Sequence, residues 1–378
     1  MNKFSLFIAV AVILAACHGK EQKAVVSGSD SSRTVLHYAH GFKVAYEGNI
    51  KRVVVARPFQ GATAGYTYLL VPEGETVPAH NPDEKVIRIP LKSIVCTSTT
   101  HIPLLDYLDE SAKLVGFPTT DYISSEKTRA QVDAGKVQEL GVDKGLNLEL
   151  LAALKPGMVM GYVTTSDYGQ FKKIEELGIP SVMNAEYLEK HPLGRAEWIK
   201  FMALFFNKEH QADSVFNAIE KSYLDTKQRA DTVRTRPTIL SGVVYGDAWF
   251  LPGGQNYAAT LLRDAGCRYL WENDSTNGFL ELSFETVYEK AHNADRWIGP
   301  GSYNSLKEIE TADRRYANFK AFKEKKVYSY NARIGAKGGS EFLELGYLRP
   351  DIILKDLLVI AHPSLIPEHK LFFHEQLE

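Results

Sequence analysis

Two acidic residues far apart in the chain share one local setting. Glu149 stands two residues after Asn147, and Glu285 two after Ser283, so each carboxylate falls in the first turn of a helix capped by Asn or Ser. A carboxylate there complements the positive end of the helix dipole, worth about 0.3–1 kcal/mol. It is equally suited to pair with a cation on a second protein. Bond-breaking chemistry has no comparable signature. The chain contains no G-x-S-x-G, H-E-x-x-H or G-x-x-x-x-G-K-[ST] pattern, and Gly253-Gly254 lacks a dinucleotide fingerprint. The eleven His are scattered, and the closest pair, His37 and His40, falls in a predicted strand, so no metal cage is expected. Asp121 and Asp247 are the acids an enzyme reading would use; the reading favoured here is that the chain is not an enzyme.

A second group of residues suits recognition of a small molecule. Thr99, His101, Tyr122, Tyr162, Tyr187, Tyr245, Trp249, Asn256, Tyr303 and Arg333 fall in segments between predicted elements or, for Tyr162 and Tyr245, at the last residue of a predicted strand. Tyr and Trp bury area at low entropic cost while offering a hydroxyl or N–H. Arg333, flanked by Gly335, Gly338 and Gly339, offers a guanidinium that matches carboxylates and catecholates. Turn geometry and solvation explain the same residue types equally well.

The elements that position these residues repeat. Strands are predicted at 35–46, 52–56 and 66–71, followed by a Pro-rich crossing. From Ser93 the order is strand, polar loop Thr97 to His101, helix from Pro103, and strand at 114–117. A helix at 148–154 capped by Asn147, a strand at 158–162, a helix at 170–177 and a strand at 179–183 complete the series. Residues 192–231 contain no internal Gly beyond Gly194 and read as two helices, the second long. The first order then returns. A strand at 238–245, a loop at 246–254, a helix at 257–264, a helix capped by Ser283 and strands at 294–298 and 327–330 follow in turn. This predicts an α/β fold of two Rossmann-like lobes with central parallel sheets, joined by a long helix and preceded by a β-rich extension. The predicted boundaries are 35–190, 191–236 and 237–378. In such sheets ligands bind at the C-terminal ends of the strands, so the loops carrying these residues are expected to converge on one cleft.

The N-terminus sets the compartment. Met1 to Lys3 is a positive start, and Phe4 to Ala16 is an apolar run of thirteen residues broken only by Ser5. Spanning a bilayer takes about twenty residues, so the run has the length of a signal-peptide core. It ends in Leu14-Ala15-Ala16-Cys17, which predicts a lipoprotein signal over 1–16 with lipid attached at Cys17. An ordinary secretory signal with Cys17 incidental is the alternative. Residues 17–34 read as a flexible tether. With 44 Lys+Arg against 46 Asp+Glu and no basic block, nucleic acid is not an expected partner. Cys96 and Cys267 lack CxxC spacing and read either as one disulfide or as two buried thiols.

The segments Ser93 to Gly116 (SIVCTSTTHIPLLDYLDESAKLVG), Leu146 to Tyr162 (LNLELLAALKPGMVMGY) and Gly338 to Pro363 (including LRPDIILKDLLVIAHP) carry a resemblance, as do His191 to Phe206 and Trp249 to Gly266. Together they resemble the periplasmic binding proteins of ABC importers for iron-siderophore complexes, haem and cobalamin. The resemblance implies capture of a small organometallic ligand between two lobes and delivery to a permease dimer with its ATPase subunits. Glu149 and Glu285 would dock on permease arginines. It implies no resident cofactor or metal, since iron or cobalt arrives with the transported ligand. A monomer, lipid-anchored in the cell envelope and facing the periplasm or the exterior, is the expected form. Lys155-Pro156-Gly157-Met158-Val159 departs from the family's usual KPDLV. The β-rich segment before residue 90 exceeds the short start of the best-known members. Ferric siderophore or haem leads, with cobalamin as the alternative; a surface scavenger handing cargo to an outer-membrane receptor is a third reading.

Overall fold

The computed structural model describes residues 33–378; the apolar start and Cys17 lie outside the described residues. A four-stranded sheet comes first, in the order β1 (Phe42–Glu47), β2 (Ile50–Val55), β3 (Tyr66–Pro72), β4 (Lys85–Ile89). The first two pairings are antiparallel and β3–β4 is parallel. β4 lies inside the Pro-rich crossing, where proline density hid its alternation from sequence reading. The segment before Phe42 is not strand. Its N–H groups at His37, Tyr38 and Ala39 bond instead to the Glu197 carboxylate, at 2.8–3.1 Å.

The first lobe contains β5 (Ile94–Cys96), α1 (His101–Tyr107), β6 (Leu114–Phe117), α2 (Glu126–Asp133) and β7 (Gln138–Glu139). A small hairpin, β8 (Gly141–Val142) with β9 (Gly145–Leu146), precedes α3 (Leu148–Leu154), β10 (Val159–Gly161), α4 (Gly169–Glu176) and β11 (Ser181–Met183). Its main sheet is wholly parallel, in the order β11-β10-β5-β6-β7. Asn147 caps α3 by accepting from the Leu150 N–H at 3.0 Å.

Three helices, not two, connect the lobes: α5 (Pro192–Ala196), α6 (Ile199–Leu204) and α7 (Glu209–Ala230). Two interruptions break the run before the 22-residue α7, at Glu197-Trp198 and near Asn207, whose φ is +56°. Every residue of α6 is buried. The expected aromatic stripe is therefore core, with Phe42, Trp198 and Phe201 rings about 5 Å apart.

The second lobe holds β12 (Thr238–Ser241), β13 (Val243–Tyr245), β14 (Ala248–Pro252), α8 (Tyr257–Asp264), β15 (Arg268–Tyr269), β16 (Phe279–Leu282), α9 (Phe284–Ala291) and β17 (Arg296–Ile298). It ends with α10 (Leu306–Ala312), α11 (Lys320–Lys323), β18 (Val327–Ser329), α12 (Glu341–Leu345), α13 (Pro350–Ala361) and β19 (Glu375–Gln376). Its main sheet runs β15-β12-β17-β18-β19, parallel except for β19. The strand orders β6-β5-β10-β11 and β15-β12-β17-β18 are therefore the same, two-one-three-four in each lobe. Read as one loop, 246–254 is in fact mostly strand. β13 and β14 form a hairpin with β16 beside it, because Gly242 turns the chain at φ +79°, where a Cβ would strike the Phe250 carbonyl.

Cys96 and Cys267 are unpaired and buried, and burial raises both thiols, Cys267 to about 12. Among the described residues no helix is long and apolar enough to cross a membrane.

Candidate functional site

The C-terminal edges of the two main sheets face one another. After β6 the chain runs through Tyr122 to Ser125, and after β18 through Arg333 to Ser340. These loops meet backbone to backbone. A Cβ on Gly339 would lie 2.1 Å from the Tyr122 carbonyl oxygen, and one on Gly335 2.7 Å from the Ser124 Cα. Glu344, 2% exposed, accepts from the N–H groups of Ser124 and Ser125, both at 2.8 Å. Burial, with Asp106 adding its charge, pushes the Glu344 carboxyl up to about 7 despite these bonds. Arg349, forked onto Asp351, reaches across to the Tyr107 hydroxyl at 2.8 Å.

Beside this contact lies a cavity of about 580 Å³, lined by Asp106, Tyr107, Ser125 and Arg129 on one side and by Arg333, Glu341 and Glu344 on the other. Its arginines are engaged. Arg129 donates to the Thr120 carbonyl at 2.8 Å and to Asp133 at 3.0 Å. Arg333, exposed, bonds Glu341 at 2.5 Å and lies over the Phe372 ring.

The strand ends of the first lobe supply a second group. Asn184, after β11, accepts from the Glu186 N–H at 3.0 Å and turns the chain so that the Glu186 carboxylate meets Thr100 Oγ1 at 2.6 Å. Tyr162, directly after β10, donates to Asp143 Oδ2 at 3.3 Å. Asp143 occupies the two-residue turn of the β8–β9 hairpin, held by Gln170 through its carbonyl at 2.6 Å. Burial raises Asp143 and Glu186, and burial with the Asp143 charge raises Tyr162 to about 12. Thr97 Oγ1 lies beside the Asp143 carboxylate, and among the described residues Glu186 Oε2 and both ring nitrogens of His101 have no hydrogen-bond partner.

The residues singled out in the sequence separate into distinct placements. Thr99, Tyr162 and Tyr187 are partly buried on the first lobe's edge, and Tyr187 donates to the Val163 carbonyl at 2.7 Å. Tyr122 is 61% exposed beside the interlobe contact, and Tyr245 is 79% exposed at the β13–β14 turn. Tyr303 lines a separate hollow with Lys307 and Glu308 on α10. His101 is wholly buried at the start of α1, and burial lowers its imidazole to about 3, so it is neutral. Trp249 lies in the second lobe's core, with its N–H on the Ser241 carbonyl and its ring against Trp297, Tyr316, Phe284 and Phe319. Asn256 caps α8 and spends its amide on the Asn277 and Gly278 carbonyls. Sequence reasoning missed Asp143, Glu186 and Glu344. The first falls in an unrecognised hairpin; the others look like ordinary helix-start acids.

Glu149 and Glu285 are both exposed in the first turns of α3 and α9, and Glu285 lies 3.3 Å from Arg315. Among the described residues no cluster of three or more His, Cys, Asp or Glu is arranged to hold a metal ion.

Residues 94–334 match the family described as periplasmic binding protein. The sheet β1–β4 precedes the matched segment. An uncharacterized lipoprotein of Methanocaldococcus jannaschii is 25% identical over 363 residues, covering 90% of this chain and 84% of its own length. A second from that organism is 28% identical over 350 residues, covering 85% and 87%. Among solved structures, a possible iron-binding (periplasmic solute-binding) protein of Staphylococcus epidermidis superimposes with a TM-score of 0.55 at 16% identity, covering 72% of this chain and 98% of that one. A periplasmic haem-binding protein of Roseiflexus gives 0.57 at 16% identity, covering 72% and 99%. At such identities the likeness concerns fold alone.

Proposed function

The chain belongs to the periplasmic binding protein family, and from that premise we propose that it captures an iron complex, ferric siderophore or haem, between its two lobes and delivers it to an ABC permease dimer served by ATPase subunits. The observation that carries this reading is the pair of parallel sheets with equal strand order whose C-terminal edges face each other across one gap. Iron as the cargo's metal draws on two solved structures of like fold, a possible iron-binding protein and a haem-binding one. The exposed rings of Tyr122 and Tyr245 suit a flat macrocycle, which also favours a second reading, a cobalamin-binding protein.

In this account Thr99, Tyr122, Tyr162, Tyr187, Tyr245, Tyr303 and Arg333 are the cargo contacts, while His101, Trp249 and Asn256 support the loops from within. Units 35–190 and 237–378 act as the lobes and 191–236 as the strut. Glu149 and Glu285 offer one exposed carboxylate per lobe for docking on permease cations. A lipid on Cys17 holds the protein, as a monomer, to the cell envelope. A stiff helical connection permits only small closure.

The test is equilibrium titration with ferric siderophores, haem and cyanocobalamin, followed by calorimetry and cargo absorbance. All four tryptophans are buried, so Trp fluorescence is the poorer reporter. Retention of one iron complex at one per chain is expected. Retention of none of them contradicts the proposal.

A further inference from the structure

This inference rests on the reading that an iron complex binds between the lobes, and it concerns the chemistry of that complex. At the first lobe's strand ends two carboxylates gather around Tyr162, whose hydroxyl bonds Asp143 and lies in the field of Glu186. Glu186 is 6% exposed; one oxygen accepts from Thr100 and the other has no hydrogen-bond partner among the described residues. Thr97, 4% exposed, sets its hydroxyl beside the Asp143 carboxylate and 3.3 Å from where a Cβ on Gly161, the residue before Tyr162, would sit.

Among the described residues neither Asp143 nor Glu186 has a basic group within 4.0 Å; Lys144 and Arg195 act on them only through space. Arg195 is committed elsewhere, donating to the Tyr187 and Glu189 carbonyls at 2.9 and 3.1 Å and stacked on Tyr257 and Tyr347. A buried carboxylate without a counter-charge is costly, and a proton-donating cation relieves that cost. An ammonium group has three N–H donors, enough for Asp143, Glu186 and the Thr97 hydroxyl. The Tyr162 ring adds an attractive face.

We propose that Asp143, Glu186, Thr97 and Tyr162 form a subsite for a protonated amine of the bound complex, so the first lobe selects cargo with a positive end. Half-buried Asp143 makes the first contact. Glu186, covered by its neighbours, contributes its field and bonds directly once the Thr97–Thr100 turn yields. Tris-catecholate complexes, which are anionic, are disfavoured at this edge.

The test compares the ferric complex of desferrioxamine B, a tris-hydroxamate with one free ammonium, with its N-acetylated form, which lacks that charge. Calorimetry on the purified protein is expected to show about ten-fold tighter binding of the ammonium form. In Glu186→Gln and Asp143→Asn that preference should shrink while the acetylated form binds as before. Equal affinities in the unaltered protein, which need no variant to fold, overturn the subsite; so does a preference that survives in both variants. Binding of haem or cyanocobalamin with neither hydroxamate overturns the subsite alone. Binding of none of the four removes the iron-complex reading beneath it.

Discussion

The side chain of Glu344 in the second lobe accepts from the backbone N–H of Ser124 in the first at 2.8 Å, so one carboxylate pins the two lobes together beside the interlobe cavity. Its second oxygen takes the Ser125 N–H at the same distance. The pin is itself titratable.

Because burial raises the Glu344 carboxyl from 4.5 to about 7, the folded protein holds this proton more tightly than the unfolded chain does. Its stabilising contribution is complete below about pH 4.5 and is lost as pH rises through 7, amounting to about 3 kcal/mol as an upper bound. Urea unfolding from pH 5 to 8 is therefore expected to show a fall in stability that Glu344→Gln flattens. Parallel pH profiles for the two proteins would contradict the assignment.

Glu197 is fully buried and serves three backbone N–H groups of the segment before β1 as well as Lys200. Glu197→Ala strands those donors and leaves the buried Lys200 ammonium with Asp213 and the Val35 carbonyl as its remaining partners, with an expected loss of roughly 3 kcal/mol. Hydrogen exchange should rise at residues 37–39. Unchanged protection there would show that the β1–β4 sheet holds without this brace.

Gly339 has no room for a side chain against the Tyr122 carbonyl oxygen. Gly339→Ala is expected to force the two loops apart at a cost of roughly 1–3 kcal/mol. Small-angle scattering should register an enlarged radius of gyration. Wild-type dimensions and stability would mean that the loops yield without separating the lobes.

Glu149 and Glu285 carry the docking proposal. Charge reversal of both, Glu149→Lys with Glu285→Lys, is expected to reduce stimulation of the reconstituted importer's ATPase by roughly ten-fold while leaving cargo affinity unchanged. Arg315 already screens Glu285, so the single Glu149 reversal should have the larger effect. Full stimulation by the double variant would remove docking from these residues.

The duplicated order of strands and helices was legible because apolar runs bounded by Gly, Pro and capping residues mark elements locally. Asn147 and Ser283 cap the helices they were expected to cap. Short paired strands escaped notice. β4 hides among prolines, and β14 sits in a Gly-rich stretch where Trp249 and Leu251 turn into the core but Phe250 between them is apolar too, so no polar–apolar alternation shows. The site was harder to read. Trp249 in a loop-like sequence suggests a ligand contact, yet its burial depends on partners 35 or more residues away, such as Trp297 and Tyr316. Conversely, Glu186 gains its character from burial, with no basic group within ion-pair distance among the described residues, which spacing along a chain does not reveal.

The claim that cargo sits between the lobes is tested most directly by hydrogen exchange with and without the iron complex that titration identifies. Protection should appear together in residues 97–101 and 162–168 of the first lobe and in 245–248 and 331–339 of the second. Protection confined to a single lobe, or to the β1–β4 sheet, would contradict it.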